Sequence, residues 1–376
     1  MAYNRLMAAP RADCLSGTFW LLFLYDICEE IRLDQLRAIL GAQPAGREPS
    51  FRQPAPEYVR FQKPPVIEYP EPLVLETGER LPQRVHYYEY GVVSIELQVP
   101  FEFDWQGLMR LSSRSIAAPE IEKQAADSVR RRLKRAQPAL VKPYSEWLTE
   151  DYYIIQLLPV IGGDGNTVTA DALIAERGGE IAQIVRGELL PLADDERMEI
   201  LQSRRSYYPD DLVVIGWTAA LVYDTPEDAL PVMQLLEYAN SQLLEFRYYD
   251  EMLTSLLADV YRSLEKGKGI LARWLLAREA GRLNTIRLDV RELTERMDNS
   301  IKFLSDMYSA RVYRLAADKV GVTDYRRLVD DKLDTAGDLY QFMMDQFQQS
   351  RAFVLELMVV IILVIELVFL FKGQVV

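Results

Sequence analysis

The chain of 376 residues carries 43 Lys and Arg against 56 Asp and Glu, a net charge of -13, and is 49% hydrophobic, enough for a large core. That balance repels nucleic acid and anionic lipid from the chain as a whole, so either contact needs a local basic patch. One histidine, His86, and two cysteines, Cys14 and Cys28, exclude His-rich and thiolate metal sites, a disulfide framework, and any Ser-His or Cys-His nucleophile that His86 does not itself serve.

Near the N-terminus, Arg5 and Arg11 precede an apolar run over 19–25, the outline of an export signal. Asp26, Glu29 and Glu30 stand where a small-residue cleavage site belongs, so 18–28 reads as a buried strand. Asp34 caps a short helix to Leu40. From 42 to 82 the texture is proline-rich: Pro44, Pro49, Pro54, Pro56, Pro64, Pro65, Pro70, Pro72 and Pro82 limit this stretch to edge strands, such as 58–61 and 73–76, and extended loop. It reads as an excursion over the sheet; a ligand for a proline-binding domain is the functional alternative.

Residues 84–99 (RVHYYEYGVVSIELQV) give a strong strand signal, interrupted by Gly91 as a bulge or a close backbone approach would be. Asp104 caps a helix to about Leu111, and a charged helix follows over 120–136. Its end holds Arg130, Arg131, Arg132, Lys134 and Arg135. A solvated face with salt bridges to Glu120 and Glu122 is the plain reading, and contact with anionic headgroups or RNA the functional one. Strands are expected over 152–158 and 211–223. Between them, IGGDGNTVT (161–169) is a turn before a helix near Ala170; it lacks the Lys-Ser/Thr of a phosphate loop and the spacing of a dinucleotide fingerprint. His86, among aromatics on a strand, reads as a satisfied core or rim residue. No pair of acids stands out as a general acid and base.

Thr225-Pro226-Glu227-Asp228 is a helix start with a Thr cap and Pro at the first position. Helices are expected from there onward: one to about Glu265, a second over 270–320 in which Val290, Ile301 and Val312 recur every eleven residues, and a third capped by Thr323 or Asp324 after Gly321. In the third, Val329, Leu333, Ala336, Tyr340, Met343, Phe347, Ser350 and Val354 keep steps of four and three, a heptad seam. Leu333 and Phe347 should be buried in it, and Lys332 and Gln346 should lie outside it. The seam faces the chain's own preceding helix, or else another subunit or a protein partner. Last, 352–371 is apolar except for Glu356 and Glu366, about 30 Å of helix, and reads as a transmembrane span. Glu356 is placed at its interface with water; Glu366, inside the apolar part, needs a partner.

Leu333-Asp334, Asp338-Leu339, Asp345-Gln346, Leu355-Glu356 and Glu366, together with Tyr90-Gly91-Val92-Val93, resemble the required for meiotic nuclear division family. Members carry Trp where Leu357 stands here, and their Ala- and Ser-rich helix is only loosely echoed over 175–185. The resemblance implies a soluble α+β body, a helical hairpin and one C-terminal span, with a role in supporting organellar translation for mitochondrial members. It brings no catalytic residues.

The expectation is therefore an α+β body over 1–223 with mixed or antiparallel sheets covered by helices on one side, for which two ferredoxin-like halves would fit. A helical hairpin or coiled-coil stalk over 224–350 and a membrane span over 351–372 follow, with the body on the cytoplasmic or matrix side. In function it is a membrane-anchored scaffold or tether for a protein or ribonucleoprotein. The alternative is a membrane-bound enzyme acting on a small or lipid substrate through a carboxylate-lined pocket. Neither reading calls for a cofactor or metal. Partners are membrane lipid, a second copy or another protein through the stalk, and nucleic acid only through the basic patch.

Overall fold

A computed structural model describes residues 14–41, 59–61, 64–76, 78–116, 118–163, 165–266, 280–292, 294, 301–303 and 307–373. The strands are β1 (Leu15–Ile31), β2 (Val59–Phe61), β3 (Val66–Glu68), β4 (Leu73–Val74), β5 (Arg80–Leu81), β6 (Gln83–Tyr87), β7 (Val92–Phe103), β8 (Leu140–Leu157), β9 (Arg204–Arg205), β10 (Leu212–Ile215), β11 (Ala219–Tyr223) and β12 (Ile301–Phe303). The helices are α1 (Leu33–Leu40), α2 (Trp105–Ile116), α3 (Pro119–Ala136), α4 (Ala170–Arg186), α5 (Asp194–Gln202), α6 (Pro226–Lys266), α7 (280–292), α8 (Met307–Val320) and α9 (Val322–Gly373). The chain divides into two compact units, one of 1–248 with 296–325, the other of 249–295 with 326–376.

The first unit is built on one mixed sheet of eight strands in the order β3-β6-β7-β1-β8-β11-β10-β9. This replaces the expected pair of ferredoxin-like halves. The long strand β1 lies at the centre, antiparallel to β7 on one side and β8 on the other, and so joins what two small sheets would have kept apart. The pairing of β8 with β11 is parallel. Because side chains alternate across a strand, β1 sends Phe19, Leu21, Phe23 and Tyr25 into a core with Leu108 of α2, Val129 of α3 and Ile184 of α4. Its alternate residues Leu22, Leu24 and Asp26 are buried on the opposite face, where α6 lies: His86 of β6 touches Glu237, and Tyr90 bonds Ser241. Helices thus cover both faces, not one.

Several local readings change as well. The stretch read as one strand over 211–223 is a hairpin, with β10 turning back on β11 at Gly216. Ile301 lies in β12, antiparallel to β2, so the eleven-residue recurrence does not mark one continuous helix. Residues 270–279, and 42–58 of the proline-rich stretch, lie outside the described residues. The start of α6 follows its sequence: Thr225 Oγ1 accepts from the Asp228 amide at 3.3 Å.

In the second unit, Leu256, Leu257 and Val260 of α6, Ala280 and Leu283 of α7, and Ala336 and Met343 of α9 form a separate core. Leu333 is only half-buried, and Lys332 is drawn in to bond Asp250 and Thr254 rather than left outside. The side chains of Gln346 and Phe347 lie outside the described residues. The transmembrane expectation is corrected: among the described residues no helix is long and apolar enough to cross a membrane. Glu356 and Glu366 stand exposed on α9 and keep no interfacial assignment.

Gly91 turns β6 into β7 with φ +97°, and a Cβ there would sit inside the contact radius of the Cys28 carbonyl oxygen. Gly91→Ala is expected to cost upwards of about 2 kcal/mol in chemical denaturation, through the left-handed backbone and the clash together. At Gly163 an added Cβ would meet nothing within 4 Å, and Gly163→Ala is expected to stay within about 0.5 kcal/mol.

Candidate functional site

The densest cluster of titratable groups is the seam between the sheet and α6. On the sheet, the β6–β7 register sets His86 opposite Ser94 and Arg84 opposite Glu96, and period-two alternation puts all four on the α6 face. Glu237, Ser241 and Glu245 of α6 recur every four residues and so form one stripe. His86 Nδ1 lies 2.7 and 2.8 Å from the two oxygens of Glu237 and 4.0 Å from Glu96 Oε1. Arg84 Nε stands 2.8 Å from Glu96 Oε2, paired by distance although the N–H is not aligned for a hydrogen bond. Arg84 also lies over the Trp20 ring at 4.6 Å.

Burial by itself would push Glu237 toward its neutral form. The charge of His86 and its contact with both carboxylate oxygens, with the Ser94 and Tyr88 hydroxyls adding to it, outweigh burial and hold the carboxyl below its ordinary range. Burial likewise works against an imidazolium at His86, but Glu237 and Glu96 raise its pKa above the usual value. Burial lifts Glu96, with His86 and Arg84 pulling it back. Two turns along α6 from Glu237, Glu245 faces Asp26 of β1, and burial together with the Glu245 charge raises the Asp26 carboxyl well above the carboxylate range. Burial and the Asp26 charge push the Cys28 thiol up to about 12, leaving it unreactive.

Ligand atoms of His86, Glu96 and Glu237 lie within 4.8 Å of one another, as metal ligands could. The geometry is better explained without a cation. Nδ1 of His86 is in contact with both Glu237 oxygens, and Arg84 faces Glu96, so two cationic side chains already balance two carboxylates. This is a buried ion-pair network.

The residues singled out on α3 are divided by the fold. Arg130 pairs with Asp127 at 3.0 Å and lies over Trp147, and Arg132 pairs with Glu68 at 2.9 Å, in place of the expected Glu120 and Glu122. Arg131, Lys134 and Arg135 are exposed. The loop after Ile161 is a turn closed by Gly162 and Asn166, ahead of a Thr169 cap on α4.

A second basic cluster escaped the sequence reading. Arg205 at the end of β9 and Arg311 and Arg314 of α8 line an open groove of about 380 Å³ with Leu315, Asp318 and Thr323. The guanidiniums bond to main-chain oxygens: Arg205 to Arg204, Arg311 to Met307 and Arg314 to Ala310. Among the described residues none of the three makes an ion pair. The signal was in the sequence only as Arg204-Arg205 and an Arg-x-x-Arg step on a helix, about a hundred residues apart.

Compared with known proteins, residues 16–229 match the family described as uncharacterized protein MJ0711, N-terminal domain. A protein of that name from Methanocaldococcus jannaschii is 21% identical over 198 residues, 53% of this chain and 61% of its own length, so less than two thirds of that relative is spanned. No solved structure matches. The family match covers the α+β body and does not reach the helical C-terminal stretch on which the resemblance to the meiotic nuclear division family chiefly rests.

Two outcomes are expected of the seam. Glu237→Ala should cost about 3–5 kcal/mol in chemical denaturation by leaving buried cations uncompensated, whereas His86→Leu with Glu237→Met should cost less, because Arg84 and Glu96 still balance. For pH, the raised pKa of His86 gives stability that is complete below its unfolded value near 6.5 and lost as pH rises through the folded value. Glu237, lowered, gives stability present above about 4.3 and lost as pH falls through its folded value. The thermal midpoint should therefore fall as pH rises above about 6.5, and less steeply in His86→Gln.

Proposed function

The chain belongs to the family of the MJ0711 N-terminal domain, and on that premise we propose that it is a binding protein whose α+β unit holds a phosphate-bearing ligand in the arginine groove. The observation that carries this is the groove's charge. An acidic protein, at -13, leaves three guanidiniums turned to one open groove without an acidic partner among the described residues. Guanidinium forks suit phosphate oxygens and stay charged at every relevant pH. The holding role keeps the scaffold reading in its plainest form. The carboxylate-lined enzyme pocket loses ground, because the converging acids Asp26, Glu96, Glu237 and Glu245 are buried and engaged with one another, His86 and Arg84. The α3 cluster is the weaker anion site, since two of its arginines are already paired.

Titration calorimetry with tripolyphosphate at low salt tests the proposal. Binding should weaken at least about tenfold in the Arg311→Gln, Arg314→Gln double variant and fall with added salt, but stay unchanged in Lys134→Gln, Arg135→Gln. Absence of binding, or equal binding by the groove variant, would overturn it.

A further inference from the structure

The groove has an aromatic border, and we infer that its ligand is a nucleotide unit, with the phosphates on the arginines and the base on Tyr207; this rests on the anion-binding reading above. Tyr207 follows Arg205 by two residues and is 60% exposed. Its ring meets Tyr308 edge-on, with centroids 5.1 Å apart, and Tyr208 at 4.7 Å. Tyr308 precedes Arg311 by three residues and Leu315 by seven on α8, so it shares their helix face and borders the groove.

The tyrosine platform is fixed in advance. The Asp211 carboxylate accepts from the amides of both Tyr207 and Tyr208 at 2.8 Å, and holds the loop between β9 and β10 in one shape. Tyr207 thus carries an exposed ring in a set position beside a cluster of guanidiniums. A phosphate alone would have no use for such a ring. A base offers a flat π-face to stack on it, and base–aromatic stacking beside a cationic track is the recurring means of holding nucleotide units without reading sequence. Asp318 on the groove wall adds one negative charge and disfavours a ligand that fills the groove with phosphate alone.

Free nucleotide and single-stranded nucleic acid share this chemistry. The full chain is titrated with tripolyphosphate, with ATP without magnesium, and with a labelled single-stranded oligoadenylate of about six residues. ATP or the oligonucleotide should bind at least about tenfold more tightly than tripolyphosphate. Tyr207→Ala should remove that preference and leave tripolyphosphate binding unchanged, and Tyr207→Phe should retain it. A tighter complex with the oligonucleotide assigns a strand, a tighter one with ATP a free nucleotide. If tripolyphosphate binds as well as either, or Tyr207→Ala changes nothing, this inference fails and the anion groove stands. If none of the three binds, both fail.

Discussion

The carboxylate of Glu237 is the point on which the α+β unit depends. It comes from a helix and is received by the sheet through His86, whose ring nitrogen meets both of its oxygens and stabilises the anion so far that its pKa falls despite burial. A carboxylate buried without that partner would be protonated or would expel the helix. The contact therefore fixes both the rotation and the height of α6 on the sheet, since a shift of one residue would turn Glu237 by about 100° away from His86. Residues 235–246 of α6 are buried all round, and Tyr238 and Gln242 on another side meet Tyr313 of α8. Apolar packing alone would allow such a helix several registers; the polar stripe admits one.

The same network separates interior from surface chemistry. Inside, the charges of His86 and Arg84 are matched by those of Glu237 and Glu96, and Asp26, facing Glu245, is held toward its neutral form. Outside, charge is left unmatched only in places, and the groove between β9 and α8 is one of them. An open site needs a rigid support, and this one has it: β9 pairs with β10, β10 with β11, and β11 with the central β8.

How far the sequence discloses this differs between features. The strand near the N-terminus was legible because apolar residues fill both of its faces, as they must in a sheet covered on both sides. The cap on α6 was legible because capping is local. The seam was not: Glu96 is ten residues from His86 across a hairpin, and Glu237 is 151 residues away, so only tertiary structure makes them a site. A Glu-x-x-x-Ser-x-x-x-Glu stripe on α6 was the one available sign. The break at Gly216 was hidden by strand formers on either side, and the eleven-residue recurrence through Ile301 mistook spacing for continuity.

The central place of β1 has a consequence for how the protein is made. Its second partner, β8, is complete only at Leu157, 126 residues after β1 ends at Ile31. At about 5–20 residues per second the ribosome needs roughly 6–25 s to deliver it. For that interval the long central strand, with its apolar run over 19–25, has at least one open edge, a template for pairing with a neighbouring nascent chain. Crowded polysomes are thus the setting in which this fold is most exposed to error.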